Sequence, residues 1–464
     1  MNNSRFKKPL SSWIKLAIWS VIYILFIIWV GNFWWMLLYP FIFDIFITKF
    51  IPWTWWKKYE NTNKTLYTIC SWIDAIAFAL VAVYFINLYL FQNYQIPSSS
   101  LEQTLKVGDF LAVSKCSYGP RIPNTPLSFP LVQHTFPWGG KSYIEKPQWE
   151  YKRLKGLKDV ERDDIVVFNF PAGDTVAVRQ PNPDYYTLCH YYGRDVINAR
   201  KDLFGEVVWR PVDRRENYVK RCVGLPGDSL QIIDNQIYIN HCVLEDHEGV
   251  QYCYYVQTDG SVLSAKLFDK LGISKSDRVL LNPSVDVGKK ELESMGLDSS
   301  RPVYHLPLTR SMKSVLEQMT QIDTIVIEPD WRGGDVYPLG KTEWTRDNYG
   351  PIYLPKKGDC LLITPSNYAV YERVIRNYEG NEVMLQDGVV YINGVESNSY
   401  TFKMDYYFMM GDNRHQSADS RYWGFVPEDH IVGQPVFVWL SLNKDKGWFD
   451  GRIRWDRFMK YAGN

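Results

Sequence analysis

Neither sign of charge is in excess. Over 464 residues, 52 Lys and Arg stand against 51 Asp and Glu, a formal net charge of +1. That balance argues against a nucleic-acid partner held by bulk charge. Cysteine is scarce, with seven residues spread along the chain, so there is no disulfide framework of the small secreted kind. Histidine also numbers seven, and no Asp-His-Ser order emerges. His241-Cys242 with His247 and Cys253 does not have a standard zinc spacing, so no metal is expected. Gly224–Asp228 lacks both the Walker spacing and a following helix signal and reads as a turn, not a phosphate loop. Disorder is excluded by 46% hydrophobic against 22% charged residues.

What the chain has in abundance is apolar sequence at its start. Trp13–Val30 is broken only by Lys15 and Ser20; Phe33–Phe50 contains Asp44 and Lys49; Tyr67–Phe91 is a third run. Each approaches the ~20 residues that cross a bilayer core as a helix. No small-residue cleavage site follows the first run, which argues against a removable leader. Arg5, Lys7, Lys8 and Lys15 precede or open the first run, and Lys49, Lys57, Lys58 and Lys64 lie between the second and third, whereas Gly31-Asn32 is uncharged. The positive-inside rule then places the N-terminus and the 51–66 loop in the cytoplasm. Asp44 is costly in lipid, so the second run is alternatively interfacial, giving two spans with the N-terminus outside instead of three. Both arrangements put residues 92–464 on one side, outside.

Beyond Phe91, short alternating or apolar stretches are bounded by turn residues: Asp109–Val113, Ile165–Phe170, Ser229–Ile239, Val383–Ile392, Tyr406–Met410 and Pro435–Leu440. They predict mostly β structure, with Leu308–Thr320 a helix candidate. A faint repeat aligns Asp164–Phe168, Val219–Val223, Gly227-Asp228 and Tyr238–Asn240 with Asp359–Ile363, Tyr371–Ile375, Gly380-Asn381 and Tyr391–Asn393. It predicts two similar β units, with Glu372 standing where the first unit has Lys220.

Three clusters carry candidate chemistry: Ile96–Leu101, Tyr218–Asp228 and Gly411–Pro427. Ser100 lies nine positions after Phe91, close to the membrane boundary, where a hydroxyl suits a substrate itself held in the bilayer. Serine is a weak nucleophile and needs a base. Lys220 sits among Val219, Cys222, Val223 and Leu225, a context for burial, which disfavours the ammonium form. A depression of ~2–3 pH units from ~10.4 would make it a usable general base.

Together the clusters resemble the bacterial type I signal peptidase (leader peptidase) family. The family pattern I-P-S-x-S-M matches Ile96–Leu101 with Leu101 in place of Met. Its Y-x-K-R-x-x-G-L-P-G-D matches Tyr218–Asp228, and its G-D-N-R…S-x-D-S-R…W-G-x-V-P matches Gly411–Pro427. Its Pro-Thr-Leu is Gln103-Thr104-Leu105 here. The resemblance implies a mainly β extracytoplasmic catalytic domain behind N-terminal transmembrane helices, with an inserted β-rich subdomain. Residues 1–94 would be the membrane anchor, 95–240 and 396–464 the catalytic β domain, and 241–395 the accessory insertion.

By the same resemblance the activity is that of a Ser-Lys dyad serine endopeptidase needing no cofactor. Ser100 is the expected nucleophile and Lys220 the general base. Ser417 would orient the amine, and Ser98 with the Ser100 N–H would form the oxyanion hole. Tyr218, Gly411, Asp419 and Arg421 would support the site. Ile96, Pro97, Leu101 and Val219 would line shallow pockets for small side chains. The expected partners are signal-peptide-bearing preproteins, membrane lipid and the secretion translocon. The expected location is the bacterial cytoplasmic (inner) membrane, multi-pass, with the catalytic domain on the periplasmic side. That oxidising compartment would permit a Cys242–Cys253 disulfide. A self-cleaving repressor relative would lack the spans before Ser100, and a decayed binding protein would not retain Ser100, Lys220 and Ser417 together.

Overall fold

Nothing in the first apolar run interrupts helical pairing until Gly31, so it forms one helix, α1 (Leu10–Val30), closed by Gly31 at φ 63°. This is a computed structural model, and it describes residues 8–31, 33–171, 175–181, 183–282 and 288–463. Arg5, Lys7 and Asn32, used above for orientation, lie outside the described residues. The third run forms α2 (Lys64–Tyr89), started by Asn63, whose side chain accepts the Leu66 N–H at 3.0 Å. Among the described residues, α1 and α2 are the two helices long and apolar enough to cross a membrane.

The second run is not one helix. A 3₁₀ segment (Phe33–Leu38), a short α-turn (Tyr39–Phe43) and a π-turn (Asp44–Thr48) follow one another. Asp44 ends the run: its carboxylate accepts from the Thr48 hydroxyl, Phe50 N (2.6 Å), Ile51 N (3.1 Å) and Trp53 Nε1 (2.9 Å). The run folds back along α1. Tyr23 donates to the Trp35 carbonyl, Ser20 Oγ lies 2.8 Å from Tyr39 Oη, and the Trp13 and Phe43 rings are 6.5 Å apart. At the other end, Val30, Tyr89 and Leu154 share one apolar cluster, so α1 and α2 both point their C-termini at the β structure.

The main sheet contains β1 (Phe91–Gln95), β2 (Asp109–Ser114), β3 (Ile165–Asn169), β4 (Asn217–Gly224), β5 (Tyr406–Met410), β6 (Val426–Pro427), β7 (Ile431–Ser441) and β8 (Lys460–Tyr461). Its order is β1-β2-β7-β3-β4-β5-β6, antiparallel throughout, with β8 pairing β7. All of β3 is buried, as its unbroken Ile-Val-Val-Phe run requires. Beside it, β4 brings Lys220 opposite Val166.

Between β4 and β5 lies the long stretch outside the motifs. Its own four-stranded sheet places Gln251–Thr258 between Val303–Thr309 and Ile322–Ile327, covered by Ala265–Leu271 and Arg310–Glu317, the latter within the expected helix. Tyr349–Tyr353 instead pairs with Ser229–Ile233, and residues from both sides of the stretch share a core with Val223, Phe408 and Phe425.

The repeat is real in its turns and absent in one strand. Asn240 N–H donates to the Ser229 carbonyl at 2.8 Å, its Oδ1 accepts from Ser229 N, and its Nδ2 donates to Asp228. Asn393 makes the same three bonds to Glu382 and Asn381. Likewise Asp164 accepts from Glu161 N and the Tyr118 hydroxyl, as Asp359 does from Lys356 N and the Tyr353 hydroxyl. Residues 371–375, expected as the second copy of β4, are helical instead. Glu372 is paired there with Arg376 one turn on.

The closing end of the sheet rests on a buried ion pair. Arg457 Nε meets Asp109 Oδ1 at 3.0 Å, and Nη2 meets Oδ2 at 2.5 Å and the Thr104 carbonyl at 3.0 Å. Asp109→Ala would strand the guanidinium and is expected to destabilise the chain by about 3–5 kcal/mol. Denaturant unfolding of the detergent-solubilised chain measures it.

Candidate active site

Ser100 sits in the turn between β1 and β2. Its carbonyl accepts the Asn413 N–H at 3.0 Å, and the Ser99 carbonyl accepts Asn413 Nδ2 at 3.4 Å. Four residues on, Thr104 Oγ1 donates to Asp412 Oδ2 at 2.7 Å. The same carboxylate takes Arg221 Nε at 2.8 Å and Nη2 at 2.9 Å, with His247 Nε2 at 3.1 Å. Asp412 therefore ties three segments together: the Ser100 turn, the strand of Lys220 and the loop after β5. These donors hold its carboxyl well below the usual range despite burial. Asp412 and Arg221 lay within the quoted motifs but were not among the expected site residues. Their adjacency to Gly411 and Lys220 was the available signal.

Gly411 is where the segments come closest. A methyl group there would lie 2.3 Å from Ser417 Oγ and 2.7 Å from the Ser100 carbonyl oxygen. Ser417 Oγ is buried without a hydrogen-bond partner. Asp419 accepts from Gly411 N (3.2 Å) and is gripped by Arg421 through Nε (2.9 Å) and Nη2 (2.8 Å). Both are nearly inaccessible.

Lys220 is buried on β4. Burial and the nearby Arg421 push its amine down to about 8, against the pull of Asp419 and Asp412. Among the described residues, the Lys220 amine, the Ser100 hydroxyl and the Ser100 N–H make no hydrogen bond. A direct Ser100–Lys220 hydrogen bond is therefore not formed in this state. Ser98 is exposed on the same turn. Tyr218 packs rather than bonds: it stacks on Phe170 at 4.6 Å and meets Trp423 edge-on at 5.5 Å.

Of the expected pocket residues, Ile96 and Leu101 are almost enclosed in a cluster with Leu105, Leu111, Ile165 and Val167. Val219 is partly exposed at the edge of that cluster, and Pro97 is exposed. On the other side of β4, pairing with β5 begins only at Arg221, leaving Asn217–Lys220 with one partner strand.

The cysteines are all free, so Cys242 and Cys253 are not bridged: the first is exposed and the second buried. Cys253 converges instead with His305 and Glu328. The Glu328 carboxylate is already bonded to His305 (2.5 Å) and Arg346 (2.6 Å).

A family model described as "Signal peptidase, peptidase S26" matches residues 69–271 and 397–440, more than half of the chain. The chain belongs to the S26 signal peptidase family. It is a serine endopeptidase of that family, and the matched ranges contain Ser100, Lys220 and Gly411–Arg421. The chain is 24% identical over 385 residues to Signal peptidase I of Haemophilus influenzae, covering 82% of this chain and 72% of the relative. It is 23% identical over 407 residues to Signal peptidase I of Buchnera aphidicola from Acyrthosiphon pisum, covering 86% and 84%. Against Signal peptidase I of Helicobacter pylori it is 22% identical over 412 residues, covering 86% and 94%.

Gly411→Ala places a methyl group against Ser417 and the Ser100 backbone, so those segments must part. Peptidase kcat/KM is expected to drop at least about 100-fold, the scale of a ~1 Å misplacement. Steady-state assays with a preprotein, beside a melting curve, separate this loss from unfolding.

Proposed function

We propose that this chain is a membrane-bound peptidase that removes N-terminal signal peptides from exported preproteins by Ser-Lys dyad catalysis. The observation that carries the reading is the buried Lys220 amine, pushed down to about 8 in the one site where Asp412 joins its strand to the Ser100 turn. With that value about one lysine in ten is neutral at pH 7, against about one in a few thousand for a free lysine.

Neutral Lys220 takes the Ser100 Oγ proton as Oγ bonds to the scissile carbonyl carbon. The free Ser100 N–H and the Ser98 hydroxyl receive the oxyanion, whose charge appears only in the transition state. The Lys220 ammonium then protonates the leaving amine, and water reverses the sequence to release the acyl group. Ser417, whose oxygen lacks a partner, orients the amine through a hydrogen bond made as Ser100 and Lys220 close on the substrate. Asp419 and Arg421 act as positioning residues that fix Gly411 and balance the charge beside Lys220.

An extended peptide finds free backbone groups at Asn217–Lys220, a strand-addition mode of recognition. Val219 and Pro97 would form the lip, and Ile96 and Leu101 the floor, of pockets suited to small side chains. The accessory stretch 241–395 would flank this approach.

The anchor is read as three passes in the cytoplasmic membrane of a bacterium. The second run returns along α1 and both long helices end at the β structure, so Lys8, Lys15, Lys49, Lys57, Lys58 and Lys64 gather at the opposite, cytoplasmic end. The β structure then lies on the periplasmic side, where preproteins leave the translocon.

Two measurements test the dyad. Ser100→Ala and Lys220→Ala are each expected to lower kcat/KM on a detergent-solubilised preprotein by at least about 10³-fold with melting unchanged. The neutral amine is the active form, so wild-type kcat/KM should rise with pH and level off above about 8. A rising limb near pH 10 would refute a lowered Lys220.

A further inference from the structure

A cleft of about 460 Å³ opens where α2 ends; Asn217, at the start of the free β4 edge, is part of its lining, whereas Ser100, Lys220 and the other expected site residues are not. Its size falls in the ~300–1,000 Å³ range of small-molecule sites. One wall is the last two turns of α2, including Tyr84 and Leu88. The opposite wall is the 128–133 loop, whose Phe129 and Leu131 are 50% and 70% exposed. Tyr84 ties the two walls by donating to the Pro126 carbonyl at 2.8 Å.

The charged residues of the cleft are Lys115, Arg121, Arg214 and Asp213. Lys115 follows β2 directly, and its N–H donates to the Leu90 carbonyl at 2.8 Å, at the point where α2 stops. Its amine has no hydrogen bond or ion pair among the described residues. Arg121 donates to Asn169 Oδ1 (2.5 Å) and the Asp429 carbonyl. Arg214 donates to Thr125 Oγ1 (2.6 Å), the Thr125 carbonyl (3.0 Å) and the Gln133 carbonyl (3.3 Å). Both guanidinium groups are thus held mainly by neutral oxygens, with Asp213 3.8 Å from Arg214. Asp213 accepts Thr125 N and Oγ1 at 2.9 Å through one oxygen, and its other oxygen is buried. Asp429, near Arg121, is bonded to His430. Burial and the two arginines push Lys115 down to about 7, which a bound anion would reverse.

We infer that this cleft binds the phosphate headgroup of a membrane phospholipid, with Lys115, Arg121 and Arg214 on the phosphate and the acyl chains along α2, Phe129 and Leu131. The position favours lipid over a soluble anion. The surrounding loop also exposes Trp138, stacked on Phe136 at 4.9 Å, and is fixed to α1 by Trp29 Nε1 on the Lys155 carbonyl. Cations beside exposed aromatic and aliphatic groups match the amphipathic boundary of a bilayer. The inference rests on the proposed insertion of α2 in the membrane.

The test is native mass spectrometry of the full chain released from detergent, in wild type, Lys115→Gln and Lys115→Arg. The probes are phosphatidylglycerol, a diacylglycerol of the same chains and inorganic phosphate. Wild type should retain one phosphatidylglycerol, Lys115→Gln should bind it about tenfold more weakly, and Lys115→Arg should recover most of the difference. Diacylglycerol and inorganic phosphate should bind weakly to all three. Equal phosphatidylglycerol retention in wild type and Lys115→Gln overturns the site. Inorganic phosphate binding as tightly as the lipid replaces it with a free-anion site. Unchanged lipid retention with a raised KM for preprotein in Lys115→Gln assigns the cleft to the substrate instead. Alkaline extraction of membranes distinguishes the two readings: release of the chain without detergent refutes the membrane anchor, whereas equal lipid retention in a chain that stays membrane-bound refutes only this site.

Discussion

One carboxylate holds the catalytic geometry together. The Asp412 side chain receives the guanidinium beside Lys220, the hydroxyl four residues after Ser100 and the imidazole of His247. These groups come from regions far apart in sequence, and Arg221, fixed on β4 between Ile165 and Met410, is the rigid member to which the others are tied. The turn that carries Ser100 closes on itself through Glu102 N–H on the Ser99 carbonyl, Thr104 and Leu105 N–H on the Leu101 carbonyl, and Gly108 N–H on the Ile96 carbonyl. Ile96, Leu101 and Leu105 pack with Ile165 and Val167, and the Asp412 and Asn413 bonds add the turn's polar tie to the loop after β5. A buried ion pair of this kind adds little net stability against apolar packing, but it fixes one arrangement among many. Here the arrangement fixed is that of the Ser100 turn, the Lys220 strand and the loop after β5.

The same reasoning explains why so much charge is buried around one amine. In the proposed dyad Lys220 must be desolvated to lose its proton, yet desolvation in a wholly apolar pocket would lower its basicity further and leave nothing to stabilise the ammonium that the proposed mechanism forms. Asp419 supplies the counter-charge, and Arg421 prevents it from becoming a tight ion-pair partner of the lysine by occupying both carboxylate oxygens. The balance leaves the amine at about 8, between the value of a free lysine and that of a group unable to accept a proton. Aromatic packing of Tyr218 between Phe170 and Trp423 completes the dry surroundings that make these charges count.

Much of this was legible in the residues. The strand starts at Asp109, Ile165 and Tyr406 follow from apolar runs bounded by turns, and the three motif clusters that the fold brings together are local patterns readable without it. What could not be read were effects that depend on partners. Asp44 looked costly in an apolar run, because the donors that satisfy it, Phe50, Ile51 and Trp53, lie in the following turn. The repeat signal was carried by Asn and Asp side chains that bond their own turns, so it reproduced those turns faithfully. It failed at Tyr371–Ile375, where apolar spacing and one arginine were shared and a helix buries Tyr371, Val374 and Ile375 as well as a strand would. The cationic cleft left no sequence trace, since Lys115, Arg121 and Arg214 meet only after β2, β4 and α2 are in place.

The stretch between β4 and β5 is joined to the site more closely than its absence from the motifs suggests. Its central strand begins with Gln251 N–H on the Asp412 carbonyl at 2.8 Å, and Gln251 bridges to Asn413. Two residues on, Cys253 N–H donates to His415 Nδ1 at 3.3 Å, and the His415 ring reaches Asp347 Oδ1 at 3.3 Å. Asp347 is in turn bound to Arg346, which also holds Glu328 and, through it, His305. A continuous buried polar network therefore runs from the sheet of this stretch to the loop that contains Asp412 and Ser417. Such a network is costly to break at any one member, because each loss leaves another group unpaired. This sheet and the loop after β5 are thus bound to move as one piece, and the stretch that carries no motif is part of what keeps Asp412 in place.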